Sequence, residues 1–122
     1  MKFTIALLGT TMAQTPMFNK VPGWNIGTPG ADISVLAIYD PICPDSADMH
    51  NVTKTFLYRQ SPIEGKFYKD LIDWRIVNFA LPYHEHCWQV NKVIPYLEDK
   101  CAQNATQCFM TQYIEHAFSL ND

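Results

Sequence analysis

Between positions 33 and 39 the chain reads Ile-Ser-Val-Leu-Ala-Ile-Tyr, an almost unbroken apolar run of strand length. Apolar side chains on both sides of such a run predict a central strand covered on each face. The period then changes. Cys43 falls in a tight turn, and Pro44 suits the first helical position, where its missing N–H is not needed. Asp45 and Ser46 fill a first turn whose free amides favour acidic and polar groups. Met49, Val52 and Phe56 recur at helical spacing and predict the buried stripe of this helix, which breaks around Ser61-Pro62. Trp74 to Leu81 (WRIVNFAL) predicts a second strand, again apolar on both faces and ended by Pro82.

Further along, Cys87, Val90, Ile94, Leu97 and Cys101 follow spacings of three and four. They predict a helix with a kink or break at Pro95. QNAT reads as a loop, and Cys108 to Leu120 predicts a last helix with Met110, Ile114, Ala117 and Phe118 turned inward. Residues 15 to 31 are rich in Pro, Gly and Asn and read as an extended segment with turns. The order strand, helix, strand, helix, helix is an α/β pattern. A strand–helix–strand unit implies a parallel pair with a right-handed crossover.

Length and charge narrow the function classes. The 122 residues suffice for one domain. The net charge of −3, without a block of like charge, gives no nucleic-acid partner and no anionic membrane surface. No stretch approaches the length of a membrane-spanning helix. MKFTIALLGTTMA, residues 1–13, reads as a compact secretory signal peptide, leaving 14–122 as the domain. The alternation of Phe3, Ile5 and Leu7 keeps an ordinary buried N-terminal strand open as the other reading. Asn51-Val52-Thr53 and Asn104-Ala105-Thr106 are N-glycosylation sequons. Four cysteines, an even number, are compatible with disulfides outside the cytosol. These features together place the protein in the secretory pathway: ER lumen, endomembrane lumen or extracellular space.

Three groups of residues carry candidate chemistry. Cys43 at a helix N-terminus faces free amides and the positive end of the macrodipole, which stabilise a thiolate. Asp40 and Asp45 oppose that effect by placing negative charge nearby. The other reading is that Cys43 merely packs beneath the helix start. His84, Glu85, His86 and Cys87 crowd two imidazoles, a carboxylate and a thiol into four residues. Their spacing matches no usual zinc pattern and no second ligand pair lies elsewhere, so the expectation is no metal. Cys101 and Cys108 would stand roughly 10 Å apart on one continuous helix, beyond disulfide reach. If QNAT is a loop they close a staple across a helical hairpin, contributing about 2–3 kcal/mol; two unpaired core cysteines are the alternative.

The pairing of YDPICPDS with NFALPYHEHCWQ, about forty residues later, resembles eukaryotic DsbA-like proteins of the thioredoxin superfamily. It is similar in particular to the plant-type members, with their DPVCPDS-like turn and PLPYHDN-like segment. The resemblance covers residues 33 to 118 and implies a thioredoxin core with a helical insertion at 86–119. It also implies a cis-proline strand, a further strand and a helix beyond Asp122, so the expected fold is C-terminally incomplete. On this resemblance Cys43 is the catalytic nucleophile, and Pro44 and Asp45 tune its turn. Ser46, at the resolving position, donates a hydrogen bond to the thiolate but cannot form an internal disulfide.

The resemblance implies monothiol oxidoreductase or isomerase chemistry on polypeptide or thiol substrates, with glutathione as co-substrate. Tyr83 and His84 match the family's loop, which implies that Tyr83, His84 and Cys87 lie near the active turn; a Cys43–Cys87 disulfide is a separate option. A redox-inactive module that binds polypeptides is the alternative function. A glutathione-conjugating enzyme with a Cys-Pro-x-Ser turn fits less well, since its glutathione loop also needs the cis-proline.

Overall fold

A computed structural model of the chain describes residues 22–104, 106 and 108–120. The expected leader at 1–13 lies outside them. Among the described residues the sheet has three strands: β1 (Trp24–Asn25), β2 (Ile33–Tyr39) and β3 (Ile72–Asn78), in the order β1-β3-β2. β2 and β3 run parallel, paired from Ile33↔Ile72 to Tyr39↔Asn78, and β1 is antiparallel to β3. Between β2 and β3 lie helix α1 (Pro44–Leu57) and a 3-10 turn at Tyr68–Asp70. Helices α2 (Cys87–Asn91), α3 (Ile94–Gln103) and α4 (Met110–Ser119) follow. The chain is a mixed α/β protein, with the parallel pair and helical crossover that its periodicity implies.

The core lies on one face of the sheet. Tyr39 and Ile76 from the strands meet Ile94 of α3 and Met110, Ile114 and Phe118 of α4. Because strand side chains alternate, Leu36 and Ile38 point to the opposite face, where they are 57% and 67% exposed. The expectation of a central strand covered on both sides is therefore corrected. Among the described residues β2 is an edge strand with one bare face. An apolar run reports only that both faces are apolar, and periodicity carries no information on what covers them.

Helix α1 carries a second correction. His50, Thr53 and Leu57 are buried, whereas Met49 and Val52 are exposed. The spacing expected for the stripe is right but its phase is off by one residue, since two of the three inward residues are polar. The bounds of β3 also shift: the strand begins at Ile72, before the expected Trp74, and ends at Asn78. Beyond it, Phe79 still donates its N–H to Tyr39 O at 2.8 Å, which carries the following loop past the end of β2.

The helix expected to run from Cys87 to Cys101 is broken at Lys92 and Val93, and Pro95 sits in the first turn of α3, where no N–H is required of it. α4 buries Met110, Ile114, Ala117 and Phe118, the expected set. Among the described residues no helix is long and apolar enough to cross a membrane.

Candidate functional site

Three segments converge at the C-terminal end of β2: the Asp40–Ser46 turn, the 79–86 loop and the start of α2. The turn forms because Cys43 N–H donates to Asp40 O at 3.1 Å and Pro44 opens α1 immediately after. Cys43 is the N-cap of α1, with extended backbone, and its side chain makes no capping bond. The residue is half-buried and its thiol is free. Pro44 and Asp45 lie in the first turn of α1. Ser46 Oγ accepts the Asp40 N–H at 3.2 Å, tying the helix start back to the strand end. Its hydroxyl proton remains to be donated, and no bond to the Cys43 sulfur exists among the described residues.

The centre of this arrangement is Asp40, which is 3% exposed. Oδ1 accepts from Ile42 N–H at 3.0 Å and from the Cys87 thiol at 2.7 Å. Oδ2 accepts from Leu81 N–H at 3.0 Å and pairs with His84 Nδ1 at 2.7 Å. Four donors fill the lone-pair sites of one carboxylate. Burial by itself raises the Asp40 carboxyl, but the hydrogen bonds together outweigh it and hold the group below its ordinary range. Asp40 is thus an ionised buried group that fastens the cysteine turn to a loop about forty residues away in sequence.

The same bonds fix the character of the neighbours. Burial, and then the adjacent Asp40 carboxylate, push the Cys87 thiol up to about 12, so it serves as a donor rather than a nucleophile. Asn91, one turn along α2, donates to the Cys87 sulfur at 3.2 Å. His86 makes the sharp entry into α2 possible by adopting a left-handed backbone at φ 66°, which histidine tolerates better than branched residues do. Because Asp40 is an acceptor, the proton of neutral His84 resides on Nδ1 and leaves Nε2 as the acceptor. The His84 side chain is partly exposed, and the Tyr83 ring packs edge-on against it at 4.8 Å between centroids.

Of the residues singled out in the sequence, Cys43, Pro44, Asp45 and Ser46 lie on the turn, while His84 and Cys87 reach that turn through Asp40. Tyr83 reaches it only through His84, and its own ring is mostly exposed. Cys43 and Cys87 are both free, so no disulfide joins them. Cys101 and Cys108 are joined in a disulfide with Cα atoms 4.3 Å apart, linking the end of α3 to the residues before α4.

Asn104 is exposed at the end of α3, and its Oδ1 accepts both the N–H and the hydroxyl of Thr106. Asn51 is exposed on α1, within a helix rather than a loop, while its sequon partner Thr53 is buried. Among the described residues no three His, Cys, Asp or Glu side chains are arranged to hold a metal ion. In the sequence Asp40 reads only as an unfavourable charge near the thiol. Its position at the end of an otherwise apolar strand is the signal that could have found it, because a carboxylate there must find donors or face water.

Comparison with protein-family profiles, with curated proteins and with solved structures finds no match.

Proposed function

We propose that the chain is a DsbA-like, thioredoxin-fold protein of the secretory pathway that uses Cys43 as a single nucleophile in thiol–disulfide exchange. One observation carries the reading: Cys43 alone among the four cysteines combines a free thiol with solvent access. Cys101 and Cys108 are paired, and Cys87 is buried with its proton committed to Asp40. The parallel β2–β3 pair, with a helix that starts at the cysteine between its strands, supports the fold half of the reading. The exposed sequon asparagines and the leader-like residues 1–13 support the secretory half.

In this chemistry the Cys43 thiolate attacks one sulfur of a substrate disulfide, forming a mixed disulfide and releasing the other sulfur as a thiol. With Ser46 in place of a resolving cysteine, an external thiol such as glutathione attacks the mixed disulfide and regenerates Cys43. The net result is oxidoreductase or isomerase activity without an internal disulfide.

Incubation of the full chain with glutathione disulfide tests this, with the adduct read by intact mass. Wild type and Cys87→Ser should each gain one glutathionyl group, and Cys43→Ser none. An unmodified wild type sinks the reading, as does an adduct that survives Cys43→Ser.

A second reading, a redox-inactive module that binds polypeptide, is favoured by the apolar surface. The outer sheet face exposes Leu36 and Ile38, and a groove of about 440 Å³ is lined by Val77, Phe79, Trp88, Ile94 and Pro95 among others. An unmodified Cys43 together with retained polypeptide binding is the outcome that selects it.

A further inference from the structure

We propose that His84, oriented by Asp40, is the acid–base group that carries the proton in thiol–disulfide exchange at Cys43, with Asp40 as its positioning residue. This role rests on the Cys43 chemistry proposed for the chain and deepens it.

Two contacts bring the imidazole to the cysteine turn. Asp40 holds His84 Nδ1 at 2.7 Å through its side chain and the Cys43 amide at 3.1 Å through its carbonyl. The same carboxylate binds Ile42 N–H, one residue before the cysteine, and Leu81 N–H, three residues before the histidine. Turn and loop are therefore clamped from both sides of one buried group. A carboxylate–imidazole pair of this kind fixes the tautomer, presents Nε2 as a proton acceptor and stabilises the imidazolium once it forms.

His84 keeps partial access to solvent, which a group exchanging protons with a reacting thiol requires. The other candidate acceptors at the turn are less suitable. Asp40 has no free lone pair, Cys87 is a committed donor, and Glu85 and His86 are mostly exposed and pair with each other at 3.7 Å. Tyr83 packs against the His84 ring and shields one side of it.

The step balances without a further reagent. Cys43 S–H gives its proton to His84 Nε2, and the thiolate attacks one sulfur of the substrate disulfide. The substrate S–S bond breaks as the Cys43–substrate S–S bond forms. The departing thiolate then takes the proton back from His84. The imidazole makes no hydrogen bond to the Cys43 sulfur, so the proton passes between them through water, a route general acid–base groups commonly use.

His84→Gln is the discriminating variant, because a glutamine amide can still donate to Asp40 but cannot relay a proton. The rate of glutathionylation of Cys43 by glutathione disulfide is followed against pH in wild type, His84→Gln and His84→Ala. Near neutral pH the expected loss is on the order of 10²-fold. The gap should close at alkaline pH, where solvent hydroxide replaces the relay, and free imidazole should restore part of the rate in His84→Ala. Circular dichroism on each variant separates a lost fold from a lost relay.

Equal rates and superimposable pH profiles in wild type and His84→Gln overturn the relay and leave the Cys43 reading standing. A wild type that forms no mixed disulfide at any pH overturns both. A His84→Gln defect of constant size across pH, with no imidazole rescue in His84→Ala, assigns His84 a structural role and also overturns the proposal.

Discussion

At the scale of single residues, Asp40 is the group on which the site depends. Replacing it by alanine leaves the Ile42 and Leu81 amides, the His84 Nδ1–H and the Cys87 thiol without their acceptor. Orphaned buried donors cost more than the net value of the bonds they lost, so Asp40→Ala should destabilise the protein by about 3 kcal/mol in chemical denaturation. Cys87→Ser keeps a donor of similar size in place and should cost under about 1 kcal/mol. Similar losses for the two variants would mean that the carboxylate is not the hub.

Little of this arrangement is legible in the chain. The residues of the turn announce themselves, since Cys43 followed by Pro44 after an apolar strand has a local meaning. Apart from Ile42, the partners of Asp40 are drawn from residues more than forty positions away and depend on where β3 ends. No local pattern encodes that meeting.

At the scale of elements, α1 shows how a correct period yields a wrong face. Its inward positions are His50, Thr53 and Leu57, and two of these three look like surface residues. The apolar Met49 and Val52 point outward instead, with Val52 66% exposed. Glutamate at both outward positions should therefore change stability by no more than about 0.5 kcal/mol. Leu57→Ala, which empties a fully buried site, should cost about 2–4 kcal/mol. Reversed magnitudes in paired melts would restore the stripe expected from the sequence.

The helices beyond β3 divide along the same line. Strong, purely apolar periodicity locates the inward face of α4. Pro95 flags the break before α3 without saying on which side of it the helix stops.

At the scale of the whole molecule, acid is the condition to which this fold should be most sensitive, because its shifted acidic groups and its core histidine all act in one direction. His50 is fully buried among Trp24, Tyr39 and Phe118, and among the described residues neither ring nitrogen makes a hydrogen bond. Its charged neighbours are Glu115 on α4, 3.5 Å from Nε2, and Lys54 on α1, itself paired with that carboxylate. Burial lowers the His50 imidazole below its ordinary 6.5, and the attraction of Glu115 only partly offsets this. The folded state therefore resists a proton that the unfolded chain accepts, so stability is full above about pH 6.5 and falls as the pH drops below it.

A second loss begins further down. The carboxyls of Asp40, Asp73 and Glu115 all lie below their ordinary values. Each contributes stability above the unfolded pKa, near 3.8 for aspartate and 4.5 for glutamate, that is lost as the pH falls through the folded one. Denaturant midpoints should thus decline in two stages, one beginning below about pH 6.5 and one below about pH 4.5. His50→Leu removes the titrating group from the core while keeping an apolar side chain of similar size. It should flatten the upper stage and leave the lower one in place. An upper stage that persists in His50→Leu would mean that His50 is not its source, and the buried imidazole would then be only a packing element between α1 and α4.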